Sequence, residues 1–154
     1  MLSDPSLTQS SIYFRAYTNA TLREVGLGNF YLKELQPWRK MLAEGLTTWS
    51  ETGAPNTRSD CHAWGASPNY EIFRTLVGIE SMAPGFRQVR IAPNIGKLRH
   101  VSATVPHPRG AIAVDLTNTG SLTALITLPH GVTGKFVWKG QTKPLHEGHN
   151  RLVF

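Results

Sequence analysis

The sequence predicts an α+β fold in which helices come first and the strands of an antiparallel β-sandwich follow. Apolar residues recur at intervals of three and four up to about residue 77, as on one face of a helix. From Phe86 onward the apolar residues alternate with polar ones, as in strands. Because the strands follow the helices instead of alternating with them, we expect two parts, residues 1–81 and 82–154.

The first helix is predicted after the opening loop. Asp4 or Ser6 can cap its start, and Tyr13 and Tyr17 lie one helical turn apart. Gly26 favours an end to this helix.

The second helix is predicted to begin at Asn29, which can act as its N-cap. Pro37 removes a backbone donor inside this pattern, so we expect a kink or a restart there. Gly45 then ends the helix. Its apolar face consists of Tyr31, Leu35, Trp38 and Leu42.

Residues 46–61 show no sustained period and contain Gly53, Pro55 and Asn56, which predicts a long loop. Long ordered loops in compact domains are often functional. A third helix is predicted from Pro68 to Val77, with Ser67 as its cap.

About six strands are predicted in the second half, separated by turns rich in Gly, Pro and Asn, one of them at residues 106–110. The alternating apolar residues that define them are Val89 and Ile91; Ile112, Val114 and Leu116; Leu122, Ala124, Ile126 and Leu128; Phe136 and Trp138.

The net charge of +6 comes from the second half of the chain. Residues 82–154 carry nine Lys/Arg against Asp115 and Glu147, whereas residues 1–81 carry seven Lys/Arg and eight Asp/Glu. The basic residues are scattered one per strand or turn, without a basic run or stacking aromatics. This distribution favours a solvated strand face over a nucleic-acid site, so we expect no nucleic-acid partner.

The sequence also bears on disulfides, metal sites and membrane segments. A single cysteine, Cys61, cannot form an internal disulfide, and the histidine spacing does not favour a metal site. No apolar run approaches the roughly 20 residues that a membrane helix requires. We expect no cofactor, no metal and no membrane contact, and cytoplasm is the default location for this chain.

The predicted helices carry aromatic residues on several sides, which indicates helices that pack against further neighbours. We expect exposed apolar surface around Tyr13, Tyr17, Leu35 and Trp38, and therefore self-association or a missing helical partner.

Four runs resemble one family in order and spacing. These are LAEGLTTWSET (42–52), RSDCHAWGASPNY (58–70), GIESMAPGFRQVRIAPNIGKL (78–98) and TVPHPRGAIAVDL (104–116). They resemble the C-terminal region of the bacterial α-L-rhamnosidases of glycoside hydrolase family 78. The resemblance implies that residues 1–81 are the last helices of an incomplete (α/α)6 catalytic barrel, and that residues 82–154 are the C-terminal β-sandwich domain.

The resemblance also implies a reaction, the inverting hydrolysis of terminal α-L-rhamnose from glycosides by two carboxyl groups without a cofactor. By resemblance, Glu51 is the general base that activates water. His62 and Trp64 are similar to sugar-contacting residues, and Trp49 could line the same pocket. Each has a structural alternative, because a loop glutamate is usually solvated and a buried Trp or His usually serves packing.

The family's general acid lies in the earlier part of the barrel, which this chain lacks. We therefore expect no hydrolysis by the chain alone. Two further hypotheses stay open, a non-catalytic carbohydrate-binding or structural sandwich and a nucleic-acid-binding module. Within the loop, Arg58 and Asp60 are a candidate ion pair.

Overall fold

The computed structural model describes Asp4, residues 6–53 and residues 56–154. It contains two compact units, Met1–Glu71 and Ile72–Phe154, the first helical and the second built of two β-sheets. The α+β fold class is therefore confirmed. The second unit includes Ile79–Ser81, a strand that pairs with Gln88–Ile91.

The helical unit consists of short helices joined by tight turns. They are α1 (Arg15–Glu24), α2 (Tyr31–Glu34), α3 (Gln36–Ala43) and α4 (Ser67–Glu71), with 3-10 turns at Gly28–Phe30 and Ala63–Ala66. The break between α2 and α3 falls at Leu35, whose ψ is 0°. Pro37 lies in the first turn of α3, where its missing N–H has no partner to lose, so the expected restart is confirmed.

Three expected caps are wrong. Asn29 lies inside the 3-10 turn Gly28–Phe30, and the residue before α2 is Phe30, which makes no side-chain cap bond. The first helix begins at Arg15 without a side-chain cap, and the Asp4 carboxylate instead accepts the Ser6 N–H at 2.9 Å in a local turn. Ser67 is the first residue of α4, and its buried hydroxyl has no partner among the described residues. Polar side chains of this kind bond nearby backbone as readily as they cap a helix, which is why spacing alone misplaced them.

An apolar cluster centred on Ile12, Trp38 and Met41 forms the core of the helical unit, with Leu35, Leu46 and Trp49 packed against it. Trp38, 2% exposed, donates its indole N–H to the Gly65 carbonyl at 2.7 Å. The same bond satisfies a buried donor and fixes the backbone at residue 65 next to α3.

The second unit is a sandwich of two four-stranded sheets in orders β1-β2-β6-β7 and β3-β4-β5-β8. Its strands are β1 (Ile79–Ser81), β2 (Gln88–Ile91), β3 (His100–His107), β4 (Gly110–Asn118), β5 (Leu122–Leu128), β6 (Thr133–Trp138), β7 (Gln141–Leu145) and β8 (Gly148–Val153). A π-helical segment, Ile72–Val77, precedes them.

The expectation of a purely antiparallel sandwich needs one correction. Strands β2 and β6 run parallel, with Gln88 opposite Thr133 and Ile91 opposite Phe136. Parallel partners require a long crossover, and here that crossover contains the whole of β3, β4 and β5.

The sandwich core lies between the sheets and follows the alternation that the sequence predicts. In β5 every second residue, from Leu122 to Leu128, is buried. Phe136 and Leu145 of one sheet share the same cluster as Ile112 and Leu116 of the other. No helix among the described residues is long and apolar enough to cross a membrane.

Candidate functional site

The long loop after α3 is tied together by its own backbone. Glu51 N–H donates to the Ser59 carbonyl at 2.9 Å, and His62 N–H donates to the Trp49 carbonyl at 2.8 Å. The Thr48 hydroxyl donates to the Asp60 carbonyl. The two arms of the loop therefore run side by side, and segment 49–51 lies next to segment 59–62.

Glu51 is held by an ion pair with Arg58. The Arg58 guanidinium donates to one carboxylate oxygen at 3.1 Å and to the other at 2.5 Å, a bidentate arrangement. The Glu51 side chain is 17% exposed, whereas that of Arg58 is 74% exposed. The expected Arg58–Asp60 pair is therefore wrong, since the guanidinium reaches across the loop to Glu51.

This pair defines what Glu51 can do chemically. A carboxylate held at both oxygens is fixed in orientation, and the guanidinium balances its charge. To accept a proton from water, one oxygen must also be open to that water. Because Arg58 lies mainly in solvent, it can release one of the two oxygens with little loss of packing.

The rings of His62 and Trp64 lie in contact. Their ring centroids are 4.0 Å apart with an interplanar angle of 54°. Trp64 stands in the Ala63–Ala66 turn and keeps 43% of its surface exposed, so its ring is open to a ligand. His62 is half-buried and adopts an extended backbone just before that turn.

Trp49 is placed differently. It is half-buried and packs against the cluster of Ile12, Trp38 and Met41. The Gly65 backbone approaches so closely that an added Cβ would lie 3.0 Å from the Trp49 Cβ. These contacts anchor the loop, while the role of Trp49 in lining a sugar pocket stays a prediction.

Two tyrosines of the helical unit join the site, although the sequence analysis assigned them only to a packing face. Tyr13 contacts Trp64 edge to face, with ring centroids 5.3 Å apart. With Tyr17 they line a cavity of about 300 Å³, whose remaining walls are Ala16, Ala63, Ala66 and Ser67. Sequence spacing placed Tyr13 and Tyr17 on one helix face but could not bring that face to residue 64.

The hydroxyls of Tyr13 and Tyr17 lie 3.2 Å apart. The bond to Tyr17, together with the effect of charge on the Tyr17 ring, raises the pKa of Tyr13 above its ordinary value. Both rings are exposed, at 40% and 58%. The pair presents polar tips on an aromatic surface.

A metal or thiol centre finds little support elsewhere. In the part of the chain that the structure describes, no group of three or more His, Cys, Asp or Glu side chains could hold a metal ion. Cys61 is exposed, and no disulfide involves it.

Comparison with known proteins identifies relatives of both units. Residues 78–152 match the family model described as bacterial alpha-L-rhamnosidase C-terminal domain. No curated protein matches the chain at a significant level.

Several solved structures are similar to nearly the whole chain. An α-L-rhamnosidase from Dictyoglumus thermophilum superposes with a TM-score of 0.81 at 16% identity, covering 92% of this chain and 20% of that one. A family 78 rhamnosidase of Bacillus sp. GL1 gives 0.73 at 29% identity, with 88% and 17% covered. The Streptomyces avermitilis α-L-rhamnosidase, complexed with L-rhamnose, gives 0.68 at 17% identity, with 76% and 14% covered. The chain thus spans about a fifth or less of the length of these proteins.

Proposed function

We propose that the chain is the C-terminal part of an inverting α-L-rhamnosidase, because residues 78–152 match the family model of the bacterial alpha-L-rhamnosidase C-terminal domain. In this proposal, residues 1–81 supply one wall of the catalytic barrel and residues 82–154 are the accessory sandwich. The chain contributes the general base, Glu51, and sugar contacts from His62 and Trp64.

One observation carries the proposal, the paired loop that holds the segments of Glu51 and His62 side by side. It supports a shared site because backbone bonds from Glu51 to Ser59 and from His62 to Trp49 hold the two segments together. Glu51 is oriented by Arg58, and the Trp64 ring is open to solvent beside His62.

The proposed chemistry follows from the two-carboxylate scheme. Glu51 would take a proton from a water molecule as that water attacks the anomeric carbon, and a second carboxyl group would protonate the leaving oxygen. Inverting enzymes separate the two groups by roughly 6.5–9.5 Å, which leaves room for the water. In the proposal, the second carboxyl group comes from barrel segments outside this chain, so the chain alone would be inactive.

The substrate class rests on the relatives. The Streptomyces avermitilis enzyme is described as a complex with L-rhamnose. We propose a rhamnose-containing glycoside as the ligand of this chain, with the remaining barrel as its structural partner.

Hydrolysis of an aryl α-L-rhamnoside tests this proposal in two steps. The purified chain is expected to give no turnover above the rate without protein. A chimera of the Bacillus sp. GL1 rhamnosidase, in which residues 1–154 replace the matching segment, is expected to be active. Glu51→Gln in the chimera should reduce kcat by about a hundredfold or more, the usual contribution of a general base.

Glu44→Gln is the matched control, since Glu44 is an exposed glutamate whose ion pair is with Lys40, four residues earlier. It should leave kcat unchanged. A folded, active chimera that tolerates Glu51→Gln would remove Glu51 from the mechanism. Turnover by the chain alone that Glu51→Gln abolishes would show that the chain completes its own site.

A further inference from the structure

The cavity beside Trp64 has a second wall that the proposed catalytic chemistry does not use. Tyr13, Tyr17 and Trp64 line it, together with alanines and Ser67, and no charged residue does. Neither Glu51 nor His62 belongs to this lining. Of the residues assigned to rhamnose, Trp64 alone is named in this lining, and it joins the cavity to them.

We infer that this cavity, hereafter the tyrosine groove, binds a neutral sugar ring, the one that a rhamnoside carries next to its rhamnose. The inference rests on the proposed function, because it names the neighbouring group of the same substrate. It adds Tyr13 and Tyr17 to the residues that contact the ligand.

The chemistry of the lining selects this occupant. Aromatic rings stack on the apolar C–H faces of sugars, and three such rings form a continuous row, with centroids 5.3 Å apart between Trp64 and Tyr13 and 5.8 Å apart between Tyr13 and Tyr17. A lining without charge offers nothing to an anionic ring. The cavity of about 300 Å³ is at the lower end of the range for small-molecule sites, as suits one ring.

The two tyrosine hydroxyls favour a sugar over a covering helix as the occupant of the groove. In the Tyr13–Tyr17 bond only one hydroxyl can donate to the other, so the second O–H proton has no acceptor among the described residues. An apolar helix laid over the groove would bury that donor unsatisfied, at a substantial cost in free energy. A sugar hydroxyl would accept it.

Nuclear magnetic resonance titration of the full chain tests the inference directly, with ¹³C-labelled tyrosine, tryptophan and histidine rings. The two probes are methyl α-L-rhamnoside and a rhamnosyl-glucose disaccharide. The disaccharide is expected to shift the ring signals of Tyr13 and Tyr17, and the rhamnoside to shift only those of His62 and Trp64.

Removing one tyrosine hydroxyl provides a second test of the inference. Tyr17→Phe should weaken disaccharide binding about fivefold, the equivalent of one neutral hydrogen bond, and leave rhamnoside binding unchanged. Tyr70→Phe removes a hydroxyl from an exposed tyrosine outside the groove and should change neither.

Three results would overturn the inference. The first is a set of tyrosine signals that do not respond to the disaccharide. The second is an affinity for the disaccharide that is unchanged in both Tyr13→Phe and Tyr17→Phe. The third is a tyrosine response to the disaccharide that disappears at protein concentrations where the chain is monomeric, since that would assign the groove to a second copy of the chain. Failure of the proposed function is separate, because it would appear as a loss of response at His62 and Trp64, or as activity that is indifferent to Glu51.

Discussion

At the scale of single residues, Arg58 fixes the orientation of the Glu51 carboxylate. Most exposed ion pairs stabilise a protein by less than about 1 kcal/mol. This pair differs in geometry, because it is bidentate and its carboxylate is 17% exposed. Its effect should therefore appear in the orientation and reactivity of the carboxylate more than in stability.

Arg58→Gln is expected to make Glu51 several-fold more reactive toward a water-soluble carbodiimide, since the guanidinium no longer shields either oxygen. The free energy of unfolding should fall by less than about 1 kcal/mol. Peptide mass spectrometry measures the labelling. Lys40→Gln is the control, because it removes the partner of the exposed Glu44 and should leave Glu51 labelling unchanged.

The contacts of Glu147 make the stability of one turn of the sandwich dependent on pH. The Gly131 N–H, which donates to this carboxylate at 2.9 Å, and then the nearby His130 hold the pKa of Glu147 below its ordinary value. A lowered folded-state pKa gives stability that is present above the unfolded pKa and is lost as pH falls through the folded one.

Glu147→Gln is therefore expected to lower the melting temperature slightly near pH 7, with a smaller difference from wild type as pH falls below about 4. Thermal unfolding followed by circular dichroism across this range measures the difference. A difference in melting temperature that is the same at every pH would exclude the bond between Gly131 and the Glu147 carboxylate as the source of that difference.

At the scale of elements, the sequence predicted most where packing obeys a single period. The alternation in β4 and β5 placed Val114 and Ile126 correctly in the core. Strand β3 was missed, because Pro106 was assigned to a turn. The structure places Pro106 opposite Ala111 in an edge strand, where one missing backbone donor is tolerated.

The parallel contact of β2 and β6 could not be predicted, because no local pattern encodes which distant strand becomes a neighbour. Its trace in the sequence is Gly134. A Cβ at this position would lie 2.0 Å from the Val89 carbonyl oxygen, which is backbone and cannot rotate away. The close approach of the two strands therefore requires glycine.

Gly134→Ala is expected to lower the free energy of unfolding by about 3 kcal/mol or more, because β2 and β6 must separate. Urea titration measures the loss. Gly53→Ala is the control, since nothing lies within 4 Å of its added Cβ, and it should change stability by less than about 0.5 kcal/mol.

At the scale of the whole molecule, exposed apolar residues are concentrated in the helical unit. Phe14, Val25 and Phe30 are 59%, 60% and 46% exposed. The expected exposure of Trp38 is wrong, since it is 2% exposed, and Leu35 is half-buried against it. The exposed faces therefore lie at the two ends of α1 and in the turn that follows it, and on α3 Leu42 is exposed as well.

We predict that the chain associates with itself as concentration rises, because such faces gain from leaving water. Sedimentation velocity between about 5 and 200 μM should show the shift. A triple variant, Phe14→Ser, Val25→Lys and Phe30→Ser, should remain monomeric. Wild-type monomer throughout this range would contradict the prediction.

The site was predicted in part. Sequence resemblance selected Glu51, His62 and Trp64, and the structure brings the last two into contact. It did not select Arg58 as the partner of Glu51, or Tyr13 and Tyr17 as neighbours of Trp64. Those contacts depend on how the loop folds back toward α1, which spacing along the chain does not contain.

The β2–β6 pair also governs the order in which the chain can fold during synthesis. Gln88 finds its partner only when Thr133 has been made, 45 residues later, so the first sheet cannot close when its first strands leave the ribosome. Contacts of such high sequence separation are slow to form. The apolar faces of β1 and β2 therefore stay uncovered in the nascent chain until β6 has been made. During this interval a chaperone or a neighbouring nascent chain would meet them.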